Sequence, residues 1–162
     1  MSERVAVVTD STASLSVEVA AEHAITVVPL QVVVSGRSLA EGIEVSSGQI
    51  AEELRSGRPV TTSRPSPQAF VDAYRALGQG GATGIVSVHL SADLSGTVDA
   101  ARIAARQVTA DGLPVEVVDS RLLGMGLEVA GGMVVTVVGL RERGERARTP
   151  LLTRIRGSTE PG

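Results

Sequence analysis

At 162 residues the chain suits one domain with a real hydrophobic core, and 43% hydrophobic against 20% charged residues is the balance of a folded protein, not a disordered one. A net charge of -3 and only two aromatic residues, Phe70 and Tyr74, leave neither the basic footprint nor the stacking platform that nucleic-acid binding needs. The absence of cysteine excludes disulfides, a thiol nucleophile and thiolate metal ligation.

Acidic Glu3 and Asp10 bracket an apolar run too short for a signal peptide. The longest apolar candidate, Val129 to Leu140, is short and broken by glycine, so no transmembrane segment is expected and the chain reads as cytoplasmic.

Val5 to Thr9 is a β-branched apolar run and predicts a buried strand that ends in Asp10-Ser11-Thr12. Ser16 is placed as an N-cap, with Val17, Ala20, Ala21 and Ala24 forming one apolar helix face. Ile25 to Val34 reads as one strand, in which Pro29 marks an edge or a bulge. Ser35 to Ile43 is a loop or short hairpin. Ser46 with Gln49 makes a capping box, and Val45 with Ile50 a hydrophobic staple, for a helix ending near Ser56-Gly57. Arg58 to Pro65 is extended or looped.

Ser66-Pro67 is an N-cap followed by proline at the first helical position, with Phe70, Tyr74 and Leu77 on one face as far as Gly78. Ile85 to Leu90 predicts a third buried strand, Val98 to Val108 a helix, and Val115 to Val118 a fourth strand before Asp119-Ser120. The alternation of strands and helices implies an α/β domain, mainly a parallel sheet with helices on both faces. Leu122 to Leu140 mixes helical length with glycines and a β-branched run. Six arginines and three glutamates crowd the stretch after Gly139. The division is therefore 1–140 for the folded domain and 141–162 for an arginine-rich, disordered tail.

Ligands of parallel α/β sheets bind at the C-terminal strand ends. Here those loops are short and rich in hydroxyls: Asp10-Ser11-Thr12, Thr61-Thr62-Ser63, Ser91 to Thr97 and Asp119-Ser120. Helix starts at Ser66 and near Ser95-Gly96-Thr97 present backbone N–H groups and the positive end of a dipole, which together favour a carboxylate or phosphate. Gly96 lets backbone approach an anion closely. The plain alternative is that such hydroxyls are only caps, and for Ser66 the cap reading is preferred. Asp10 is assigned a structural role, and His89, a lone histidine at a strand end, is read as structural too. No cofactor or metal site is expected.

In order along the chain, Val7-Val8-Thr9-Asp10-Ser11-Thr12, Val28-Pro29-Leu30, Thr61 to Pro67, Leu90-Ser91, Leu94-Ser95-Gly96-Thr97, Val118-Asp119-Ser120-Arg121 and Met125-Gly126-Leu127 resemble the DegV family, over roughly residues 4 to 127. The resemblance implies a DegV N-terminal-domain-like fold. It also implies a lipid-binding protein, not an enzyme, which holds a long-chain fatty acid by its carboxylate for presentation to a fatty-acid kinase. It places the head group at Thr62 and Ser95 first, with Thr61, Ser63 and Gly96 next. Arg64 stands where the family motif usually has glutamine. Family members continue into a second domain, so the chain reads as truncated, with that domain absent. Two other readings compete: an α/β domain for a small phosphorylated metabolite, and a truncated product without function.

Overall fold

A computed structural model describes residues 4–121. The expectations for Leu122 to Leu140 and for the arginine-rich stretch fall outside the described residues.

Two sheets organise the chain. The first is a parallel sheet of four strands, β1 (Val5–Asp10), β2 (Ile25–Val28), β6 (Gly84–His89) and β7 (Val115–Asp119), in the order β2-β1-β6-β7. The second is antiparallel: β3 (Gln31–Val34), β4 (Arg37–Ala40) and β5 (Val60–Ser63), in the order β4-β3-β5. Helices α1 (Val17–Glu22), α2 (Ser47–Arg55), α3 (Pro67–Gln79) and α4 (Thr97–Ala110) fill the intervals. The α/β class with a parallel sheet is as expected. The antiparallel sheet is an addition to it.

That addition corrects two expectations. Ile25 to Val34 is not one strand: it divides at Pro29-Leu30 between the two sheets. Pro29 has no N–H to give to a ladder, and the Leu30 N–H is drawn to Ser11 Oγ at 2.9 Å, which ends the parallel pairing. Ser11 in turn donates to Glu41 Oε2 at 2.6 Å, so one hydroxyl fastens the end of β1 to both sides of the antiparallel hairpin. Secondly, Thr61 to Ser63 is a strand, with Thr62 opposite Val32 and Thr61 opposite Val33. The β3–β4 hairpin closes on Ser35 and Gly36, both at positive φ (50° and 77°), the backbone sense that suits a two-residue connection between right-twisted strands.

Local signals elsewhere hold. Ser46 and Gln49 form both arms of the capping box, and Val45 and Ile50 pack with Val32, Val34, Leu39 and Val60 beneath the antiparallel sheet. α1 is capped by Ser16 as expected, but it stops at Glu22, and Ala24 takes a positive φ. None of its residues is buried. α3 runs one residue past Gly78. That glycine is there for packing: a Cβ on it would come within 2.8 Å of Leu113.

The main core lies on the sheet face of Ala6, Val8 and Ile85. Phe70, Val71 and Tyr74 of α3, and Ala100, Ala101, Ala104, Ala105 and Val108 of α4, pack onto it. Small alanines let α4 approach closely while the bulky α3 side chains fill the remaining volume. The opposite face carries Val7, Ile25, Val86, Val88 and Val118, with Leu15 against them. This layering brings the ends of β1, β6 and β7 to one edge, where the hydroxyl-rich loops begin.

Candidate functional site

At that edge β6 alternates Ser87, Val88 and His89, so Ser87 and His89 point to the same side as the α3 helix. A continuous hydrogen-bonded chain results. Tyr74 OH donates to Ser87 Oγ at 2.7 Å, Ser87 Oγ meets His89 Nε2 at 2.7 Å, and His89 Nδ1 meets Asp10 Oδ2 at 2.8 Å. With His89 carrying its proton on Nδ1, every donor has one acceptor: Tyr74 to Ser87, Ser87 to Nε2, and Nδ1–H to the carboxylate. Asp10 also accepts from the Leu90 N–H at 3.4 Å and from the Thr12 N–H at 3.0 Å and hydroxyl. Phe70 turns its ring edge to the imidazole at 4.9 Å.

The order serine–histidine–aspartate is that of a hydrolase triad, but burial assigns it differently. Ser87 is 0% exposed and its oxygen is already engaged by Tyr74, so it has no surface to offer a substrate. What this relay does is fix the ends of β1 and β6, and the loops that leave them, onto α3.

Its titration shapes stability at both ends of the pH scale. Burial alone would push the Asp10 carboxyl up. The hydrogen bond and electrostatic pull of His89, with the hydrogen bonds from Thr12, more than offset this and hold it below its ordinary 3.8. A folded-state value below the unfolded one means that stability is complete above about pH 4 and falls as pH drops through the folded value. Burial raises the Tyr74 phenol to about 12, only partly countered by Ser87. That contribution is complete below pH 10 and is lost between about 10 and 12. Urea midpoints measured across pH should therefore form a plateau that falls away at both extremes, and Tyr74→Phe should remove the alkaline fall alone.

The loop leaving β6 winds back on itself: the N–H groups of Leu94 and Ser95 both donate to the Ser91 carbonyl. Asp119 Oδ1 holds the Ala92 N–H, tying the loop to the end of β7. Ser95 Oγ and Thr97 Oγ1 are 2.9 Å apart, and the Thr97 N–H reaches Ser95 Oγ at 3.3 Å. The N-cap of α4 is Gly96, which supplies no side-chain cap. By contrast Ser66 caps α3 by accepting from the Ala69 N–H, so the cap reading for that residue is correct. Among the described α-helices, α4 is thus the one whose N-cap residue supplies no side chain, with Ser95 Oγ accepting, among backbone N–H groups, only from that of Thr97.

Arg64, following β5, lies against that end. A Cβ built on Gly96 would fall 2.1 Å from Arg64 Nη1 and 2.9 Å from its Cδ, so the guanidinium and its stem occupy the space the glycine leaves. Arg64, Ser95, Gly96 and Thr97 are therefore brought together. Thr61, Thr62 and Ser63 lie exposed on β5, an edge strand, leading up to Arg64, and their hydroxyls make no hydrogen bond to the described residues. Because they are in a strand, Thr62 faces one side and Thr61 and Ser63 the other. They are not equivalent members of one cluster. The relay escaped the sequence reading because Asp10 and His89 are 79 residues apart; the pairing of Thr9 with Val88 is what sets them side by side.

Comparison with known proteins follows the same lines. A family model described as an uncharacterised protein of the DegV family matches residues 4–152. The DegV domain-containing protein SCO2569 of Streptomyces coelicolor is 52% identical over 127 residues, covering 78% of this chain and 44% of that protein. Among solved structures, DegV of Bacillus subtilis, a fatty acid binding protein, superposes with a TM-score of 0.85 at 29% identity over 96% of this chain and 54% of its own. A DegV family protein from Thermus thermophilus, described for its fatty acid binding, gives 0.81 at 33% identity over 95% of this chain and 52% of its own. The chain spans about half the length of each of these three. Among the described residues, no helix is long and apolar enough to cross a membrane.

Proposed function

Because this chain belongs to the DegV family, we propose that it binds a long-chain fatty acid by its carboxylate at the start of α4. The supporting observation is the pairing of an N-cap that offers no side chain with the hydroxyls of Ser95 and Thr97 and the guanidinium of Arg64, in a chain whose solved relatives bind fatty acids. First-turn N–H groups and the helix dipole favour a negative head group. Ser95 lends a neutral donor, and Thr62, on β5 just before Arg64, a second. Gly96 leaves the backbone bare, and Thr61 and Ser63, on the other face of β5 from Thr62, are the secondary candidates. The acyl chain supplies most of the affinity, at about 0.8 kcal/mol for each methylene removed from water. The head-group contacts set orientation.

In this reading the protein performs no covalent step. It holds the acid so that a fatty-acid kinase can act on the carboxylate, with the relay beneath the loops keeping the head-group site in shape. Native mass spectrometry of the full chain after expression in bacteria with added palmitate should show one acyl chain bound. Ser95→Ala should weaken binding roughly tenfold, and Thr62→Val by a similar or smaller factor, by removing hydrogen bonds to a charged group. A clean unliganded mass after lipid supplementation would overturn the reading.

A further inference from the structure

Arg64 has an unusual electrostatic position. Its guanidinium rests on Gly96, at the positive end of a fourteen-residue helix, where a cation is disfavoured. Among the described residues it makes no ion pair. The acidic residue in the first turn of α4, Asp99, is turned instead to Arg102 at 3.5 Å on the helix's own surface. The arrangement is also sterically specific. A Cβ at position 96 would displace the Arg64 side chain from where it lies, so the bare backbone of Gly96 leaves room for the guanidinium across the helix start. Two sources of positive potential thus converge beside the Ser95 and Thr97 hydroxyls, and among the described residues no carboxylate pairs with Arg64.

Resting on the fatty-acid reading above, we propose that Arg64 is the charge-selecting residue of the head-group site. It makes the site prefer an ionised carboxylate over an uncharged head group of the same chain length. Hydroxyls can pair with an alcohol as well as with a carboxylate, and the first-turn N–H groups and the dipole favour the anion only through partial charges. A guanidinium adds a full charge: it has five donors and no acceptor, and its planar fork matches the two oxygens of a carboxylate. Because Arg64 is exposed, part of this preference is screened by salt.

The test is equilibrium dialysis of the full chain against radiolabelled hexadecanoate and hexadecan-1-ol. The native chain should prefer the acid, and raising salt should narrow the preference. Arg64→Gln should lower hexadecanoate affinity about tenfold while leaving hexadecan-1-ol within about twofold. Arg64→Lys, which keeps the charge without the fork, should retain most of the preference. Circular dichroism melts of both variants should match the native chain, since the side chain is exposed. An unchanged acid-to-alcohol ratio in Arg64→Gln overturns the role of Arg64 and leaves the fatty-acid reading standing. Failure of the native chain to retain either probe overturns the fatty-acid reading itself.

Discussion

Asp10→Ala is expected to reduce the free energy of unfolding by about 3–5 kcal/mol, because several buried donors lose their acceptor at about 1–3 kcal/mol each. The cost comes less from the hydrogen bonds lost than from the groups left behind. His89 Nδ1 and the Leu90 N–H both point at Asp10 Oδ2, and Thr12 directs its N–H and hydroxyl at Oδ1. Asp10 is 1% exposed and His89 1%, so water does not readily replace the missing acceptor. Asp10→Asn keeps the shape and one acceptor, and is expected to cost about 1–3 kcal/mol. Urea denaturation followed by circular dichroism measures both. A domain of this size has about 5–15 kcal/mol to lose, so the alanine variant should lie near the edge of folding and the asparagine variant within it. A loss under 1 kcal/mol for alanine would mean that the carboxylate does not fasten β1 to β6.

How much of this was legible beforehand depends on the distance over which each feature is encoded. The capping box of Ser46 and Gln49, the Ser66-Pro67 start and the buried strand at Val5 are local, because the groups that satisfy them lie within four residues or within one apolar run. The antiparallel sheet is not local. β5 joins β3 across some thirty residues, and its sequence, Val-Thr-Thr-Ser, has only Val60 to mark an inward face. An exposed edge strand of hydroxyl residues has the composition of a loop, and nothing but its partner distinguishes it. The division of Ile25 to Val34 was half legible: Pro29 signalled an interruption, but that the chain crosses to a second sheet there depends on Ser11, eighteen residues earlier than Pro29.

The proposed head-group region divides in the same way. Ser95-Gly96-Thr97 was visible as a helix start suited to an anion, on the chemistry of its residues alone. That Gly96 is the seat of Arg64 required the fold, since those residues meet only when the end of β5 is laid beside α4. The sequence ranks Thr62 ahead of Thr61 and Ser63 only through the family resemblance, because a loop gives no physical reason to separate them. Strand geometry splits them, and leaves Thr62 on the opposite side from its neighbours.

Phe70→Ala is expected to cost about 3–5 kcal/mol, as large as any single change in this chain, and to be coupled to the relay. Phe70 is 0% exposed in the first turns of α3, its ring 5.9 Å from that of Tyr74 and edge-on to His89 at 4.9 Å. Removing the ring opens a cavity against Ala6, Val8 and the α4 alanines, and small neighbours cannot collapse into it. It also takes away the wall that holds the imidazole between Ser87 and Asp10. Phe70→Leu fills most of the volume and isolates the second effect, at about 1–2 kcal/mol. The two contributions separate in a double-mutant cycle of Phe70→Leu with Asp10→Asn. If the ring's contact with His89 depends on Asp10 holding the imidazole in place, the double variant loses less than the two singles combined, by about 0.5–1.5 kcal/mol. Additivity within about 0.3 kcal/mol would reduce Phe70 to a filler of the core and leave the relay to be positioned by its hydrogen bonds alone. Coupling would mean that the apolar packing of α3 and the polar fastening of the strand ends form one unit. In that case α3, which begins just beyond Arg64, steadies the approach to the proposed head-group site.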